Sequence, residues 1–174
     1  EAARHLRMHR GRILAGGSAA ESLSIAKECC LGKSEEMDEL VAELAIAVGD
    51  DRTALEISRK LSSSGSDEIA SRGRVRSARL MLRHGDLAGA RRVLESSPDN
   101  CGPEGLRVLG GLERRSGEYE KAARTLAKAL SAAKKKKDWR LAGEASNELG
   151  VIALDLGDSA RARKWLEEAQ GYAL

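Results

Sequence analysis

Four arginines, Arg72, Arg76, Arg79 and Arg83, recur at steps of four, three and four residues. On a helix that spacing gathers all four on one face. Arg74 lies beside them, and no acidic residue falls between Glu68 and Asp86. Guanidinium groups arrayed this way suit carboxylates or phosphate, which they can grip with two parallel hydrogen bonds. Neighbouring glutamates that pair with them would instead make the face an ordinary solvated surface.

Other residues that could do chemistry lack their partners. Gly32-Lys33-Ser34 is the tail of a phosphate-binding loop, but Lys27 stands where that loop needs its first glycine. A strand should precede it, and here a helical segment does. The expected role is an inter-helix cap. His5 and His9 share one helix face as a metal pair would, yet no HExxH glutamate and no third ligand accompany them. An exposed helix surface is the expected reading. Cys29 and Cys30 project about 100° apart on a helix, so they do not readily share a metal. Cys29 falls on a packing position and reads as a small core residue. No Ser-His-Asp set can be assigned. The chain is expected not to be an enzyme, with no catalytic residue, metal or cofactor.

The elements that must carry these side chains follow from composition. There is no Phe, with only two Trp, two Tyr and two Pro. The core must be built from Leu, Ala, Val and Ile, while Ala, Leu, Arg, Glu and Lys favour helix. The fold class is all-α. The 174 residues suffice for one compact domain or one short repeat array. At 41% hydrophobic and 33% charged, the chain is too apolar for disorder and too polar for a membrane protein. No apolar run approaches the roughly 20 residues of a bilayer span, and no secretory signal is visible. The chain opens at Glu1 rather than Met, so a longer parent protein is expected. Cys29, Cys30 and Cys101 are an odd set with two adjacent, no disulfide framework, which points to a reducing cytoplasm. A net charge of +3 permits an acidic partner without demanding nucleic acid.

Turn glycines recur at Gly17, Gly49, Gly85, Gly117 and Gly157, at intervals of 32, 36, 32 and 40. Each is followed by Ser18, Asp50, Asp86, Glu118 or Asp158, a helix end followed by a helix start. Five places after the glycine stand Ser22, Ala54, Ala90, Ala122 and Ala162. Seven places before it stand Arg10, Ala42, Ala78, Gly110 and Gly150. Small residues at these two positions are expected where paired antiparallel helices pass closest. Helices are expected over 2–15, 18–31, 35–48, 51–63, 67–84, 87–97, 103–116, 119–136, 138–156 and 159–172.

Leu149-Gly150, Gly157-Asp158, Ala162, Leu166 and Ala169 resemble a tetratricopeptide repeat. Leu109-Gly110, Gly117-Glu118, Tyr119, Ala122, Leu126 and Ala129 form a second copy. Asp138 to Ala169 is also similar to the longer, roughly 40-residue repeats of bacterial signalling proteins and kinesin light chains. The resemblance is fullest over 103–173 and thins over 67–97, 35–63 and 1–31, where Arg10 replaces the expected small residue. The family's usual Trp is absent, its place taken by Leu106 and Ser146, and Pro98 matches the repeat-end Pro only loosely. The resemblance implies an α-α solenoid of about five antiparallel helix pairs, over 1–31, 35–63, 67–97, 103–136 and 138–173, in a single repeat domain 1–174.

In that family the first helix of each pair lines a ligand-holding groove. The resemblance therefore places Arg72, Arg76, Arg79 and Arg83 in the groove, with Arg107, Arg114 and Arg115 following and Asn147 in the last pair. Glu36, Glu39 and Glu43 lie on one side of this basic stretch, and Glu144, Glu148 and Asp155 on the other. The expected function is a protein-interaction scaffold that binds another protein or peptide, with an acidic or phosphorylated segment in the groove. The alternative is a regulatory or sensor module of a larger signalling protein, such as a transcription regulator, ATPase or kinase. Nucleic acid is the weakest reading, given the few aromatics and the acidic stretches. The last helix keeps Trp165, Leu166, Ala169, Tyr172 and Leu174, an uncapped end that also suggests self-association.

Overall fold

The computed structural model describes residues 18–96 and 102–172, together with Arg4, Arg7 and Met8. Apart from those three residues, the expected helix 2–15 lies outside the described residues, as do His5, His9, Arg10, Gly17, Pro98, Cys101 and Leu174. The chain divides into two compact units, Glu1–Leu80 and Met81–Leu174. Every described element is helical, in an all-α repeat fold.

The first unit holds α1 (Ala19–Cys30), α2 (Glu35–Val48), α3 (Asp51–Leu61) and most of α4 (Asp67–Arg83). The turn device expected from the glycine spacing is visible between α2 and α3. Gly49 sits at φ 82°, a left-handed conformation that a side chain disfavours. There the Asp50 N–H reaches back to the Ala45 carbonyl at 2.9 Å. The Asp50 carboxylate then accepts from the Thr53 N–H at 3.1 Å and opens α3. One dipeptide thus satisfies orphan groups of two helices. Leu23, Ala26, Val41, Leu44, Ile57 and Leu61 form the core between these helices.

A buried carboxylate ties the unit together. Asp38 is 1% exposed. Its Oδ1 accepts from the Gly32 N–H at 2.6 Å and its Oδ2 from Lys60 Nζ at 2.8 Å. The Gly32-Lys33-Ser34 segment is therefore an inter-helix turn whose backbone donor is spent on Asp38, with Ser34 capping α2 through the Met37 N–H. Cys29 is half-buried and packs against the core, as expected, and Cys30 beside it is fully buried. Their sulfurs lie 2.9 Å apart rather than diverging. Burial, and then the contact with Cys29, pushes the Cys30 thiol up to about 11, which keeps it protonated and unreactive.

The second unit holds the end of α4, then α5 (Leu87–Glu95), α6 (Gly102–Arg115), α7 (Tyr119–Lys136), α8 (Trp139–Asp155) and α9 (Ser159–Gly171). Asp86, Asp138 and Asp158 repeat the Asp50 device, each capping through the N–H three residues on. Glu118 makes no such side-chain cap. Before Asp138 the glycine is replaced by Lys137, which still takes φ 57°. Helix α6 packs on α7, α7 on α8, α8 on α9, and α6 also touches α8. Leu126, Leu130, Leu141, Leu149 and Ile152 fill the shared core.

The small residues before the turns sit, as expected, where the paired helices pass closest. A Cβ on Gly110 would stand 2.5 Å from Leu126 Cγ, and one on Gly150 2.9 Å from Leu166. The glycine makes room for the leucine nine places after the turn, which is how a residue as large as Leu126 becomes fully buried. Ala162 enters only through its carbonyl, 3.5 Å from the position above Gly150.

Candidate protein-interaction face

The arginine stripe is real, and it is largely neutralised from within. Arg72 Nε and Nη2 donate to Glu39 Oε1 and Oε2, each at 2.8 Å, a bidentate fork across to α2. Its Nη1 donates to Glu68 at 2.7 Å. The bond to Glu39 is the main reason the Arg72 guanidinium is held more firmly protonated than usual. Arg76 is only 9% exposed, with Nη2 3.8 Å from both Glu39 and Glu43. Its Nη1 is buried with no hydrogen-bond partner. Burial depresses its pKa, against the pull of the two glutamates. Arg74 donates to the Ser62 carbonyl at 3.3 Å. Arg79 is half-buried and Arg83 exposed, and neither is without a partner.

The second unit repeats the pattern between α6 and α8. Arg107 Nη1 donates to Glu148 Oε1 at 2.8 Å. Its Nε lies 3.1 Å from Glu144, close enough for an ion pair but outside hydrogen-bond geometry. Arg114 Nη1 donates to Asp155 at 3.4 Å. Arg115 donates to the Leu82 carbonyl. In each unit, then, arginines of one first helix grip carboxylates of the neighbouring first helix. These pairs tie neighbouring first helices together, and Asn147, exposed on α8, is the one expected site residue that makes no side-chain hydrogen bond or ion pair among the described residues.

Asn147 opens onto a cleft of about 710 Å³. From α8 the cleft is lined by Trp139, Arg140, Gly143, Glu144 and Asn147, and from α9 by Leu166, Ala169, Gln170 and Tyr172. The Trp139 and Tyr172 rings stack with centroids 6.0 Å apart and planes within 9°. The Tyr172 hydroxyl donates to Glu168 at 2.8 Å, and Lys134 Nζ meets the same carboxylate at 2.6 Å. The Lys134 hydrogen bond is the largest cause of the lowered Glu168 pKa. This anchor fixes the Tyr172 ring as a wall of the cleft. Sequence reasoning did not find the pair. The available signal was that all four aromatics, Tyr119, Trp139, Trp165 and Tyr172, fall in the last third of the chain.

Residues 105–171 match the tetratricopeptide repeat family. The likeness of fold extends further. A protein assigned as a kinesin light chain in Podosopora anserina, with nearly identical TPR-like repeats, superposes with a TM-score of 0.67 at 16% identity, covering 98% of this chain and 93% of that one. A single-residue variant of that protein gives 0.70 at 16% identity, covering 97% and 92%. At this identity the likeness is one of fold. No curated protein matches the sequence. TPR repeats generally mediate protein–protein interaction. Among the described residues no group of three or more His, Cys, Asp and Glu could hold a metal, and no helix is long and apolar enough to cross a membrane.

Proposed function

We propose that the chain is a scaffold without catalysis of its own, and that it holds a helical segment of a partner protein in the cleft between α8 and α9. The observation that carries this reading is an internal correspondence. Asn147 and Leu154 stand 10 and 3 residues before Gly157, the offsets that Arg107 and Arg114 hold before Gly117. On α6 that face packs against α8. Ala129 and Leu130 of α7, buried in the core that α8 completes, have as counterparts Ala169 and Gln170, which line the cleft. The α6–α7 pair supports as occupant an amphipathic helix with a small apolar seam such as Leu141, Ala145, Leu149 and Ile152.

The occupant should differ from α8 in charge. The seat of α8 offers Arg107 and Arg114 to its Glu148 and Asp155, whereas the same offsets in the last pair hold the neutral Asn147 and Leu154, and the cleft's Arg140 and Glu144 already pair with each other. Leu154 is 51% exposed and Trp139 49% exposed, an apolar margin that a partner would cover. An acidic segment along the arginine face would have to displace Glu39, Glu43, Glu144 and Glu148 from guanidinium groups they already hold. The cleft demands no such exchange. The test is selection from a displayed library of amphipathic helical peptides on the wild-type chain, followed by affinity measurement on Asn147→Trp, which fills the cleft from an exposed position. Peptides that bind both proteins equally would refute the reading.

A further inference from the structure

We propose that the outer face of α7, extended by α9, docks a carboxylate-rich segment of a partner protein. This surface is separate from the α8–α9 cleft and does not depend on that reading. From Tyr119 to Lys137 the chain carries seven cations against one carboxylate, a net +6 where the whole chain has +3. The core side of α7, with Ala122, Leu126, Ala129 and Ala133, is buried. Lys121, Arg124, Lys128 and Lys135 are exposed on the opposite stripe, spaced by three, four and seven residues. Arg124 to Lys135 spans about 16 Å of helix.

Lys121 is held by Glu113 and Glu118, but the other cations of this face differ from the arginines of the stripe in meeting no acid among the described residues. Arg72, Arg76, Arg107 and Arg114 all face carboxylates of the protein. Arg124, Lys128, Lys135, Lys136 and Lys137 make no ion pair or hydrogen bond among the described residues. Arg163 and Lys164 on α9 and Arg92 on α5 are likewise exposed and make no ion pair or hydrogen bond among the described residues. Arg92, Arg124 and Lys164 each stand seven places after a turn glycine. The repeat puts the same offset on the same side of each second helix, so the three cations form a row across α5, α7 and α9. The acids on α7 and α9 that could offset them are few. Glu168 is committed to Lys134, leaving Glu120 and Glu167.

The chemistry of the face selects among polyanions. It is dominated by lysine, a compact charge on a flexible stem that follows mobile carboxylates, rather than by the planar forks that favour phosphate. It carries no aromatic ring for base stacking, since Tyr119 and Trp165 pack on the core. It carries no large exposed apolar side chain to enter a bilayer, and the exposed Leu154, Leu156 and Trp139 belong to α8 and the turn after it. A dense unneutralised field of this kind steers acidic partners and weakens with salt.

The test uses the full chain and a labelled oligoglutamate peptide, read by fluorescence anisotropy at low and physiological salt. Wild type should bind, and Lys128→Glu with Lys135→Glu should lose about tenfold or more in affinity. The neutral pair Lys128→Gln with Lys135→Gln should show a smaller loss with helicity unchanged, which guards against a folding artefact. Lys33→Glu with Arg59→Glu makes the same net-charge change on exposed residues of the first unit, and should leave binding within about twofold. Equal loss in that control, absence of binding, or tighter binding of duplex DNA or of phosphatidylserine vesicles than of oligoglutamate would each overturn the proposal. Asn147→Trp should not change oligoglutamate binding, so a failure here is distinguishable from a failure of the cleft.

Discussion

Gly73 of α4 lies directly against the backbone of Ser62, where a Cβ would stand 2.7 Å from the Ser62 nitrogen. The same Cβ would meet the Leu61 carbonyl carbon and the Ser58 oxygen at 2.9 Å. These are backbone atoms at the end of α3, and they cannot turn aside as a side chain can. On an isolated helix Gly73→Ala would gain about 1 kcal/mol. Here overpacking should dominate and cost about 1–3 kcal/mol net. Urea denaturation should show a lower midpoint for Gly73→Ala, and a gain in stability would contradict the packing described.

Lys137 offers the opposite case. It closes α7 in the left-handed region at φ 57°, a place the other turns give to glycine. Its side chain is exposed and makes no contact that its loss would forfeit. Lys137→Gly should therefore stabilise the fold by about 0.5–1 kcal/mol. The same denaturation experiment checks it, with no change expected in the slope against urea.

Asp50 should give the fold a measurable acid limb. Hydrogen bonds from the Thr53 hydroxyl and then Lys27 hold its carboxyl at about 2, below the ordinary 3.8. A depressed carboxyl stabilises the folded state above its unfolded pKa, and that contribution fades as pH falls through the folded pKa. Stability should thus drop between about pH 4 and pH 2, by about 1–2 kcal/mol from this group after allowance for its partial exposure. Asp50→Asn keeps an N-cap and should flatten that part of the pH profile. An unchanged acid limb in the variant would contradict the assignment.

The pairs between neighbouring first helices can be weighed by a double-mutant cycle. Arg107 and Glu148 are 14% and 21% exposed and joined at 2.8 Å. Arg107→Ala and Glu148→Ala should each destabilise, and the double variant should fall short of their sum by about 1–2 kcal/mol. Additivity would mean that the pair only decorates the surface.

Much of this architecture was legible in the residues. The glycine intervals placed the turns, and the described helices end within about two residues of where the spacing put them. Helical period likewise put Arg72 and Arg76 on one face. What local sequence could not supply is long-range pairing. Glu39 lies 33 residues from Arg72, and only the stacking of α2 beside α4 makes it a bidentate partner. For the same reason Gly73 looks like an ordinary helix weakness until the end of α3 is seen against it. The Trp139–Tyr172 stack joins residues from the start of one helix and the end of the next, a contact that no periodicity encodes.

The most direct test of the scaffold reading is the affinity of library-selected helical peptides for the wild type and for Asn147→Trp. The selected peptides should share a Leu/Ala seam at helical spacing and lose about tenfold or more in affinity for the filled cleft. They should bind Lys128→Glu with Lys135→Glu as they bind wild type. Selection of no helical peptide, or equal affinity for wild type and Asn147→Trp, would contradict the account.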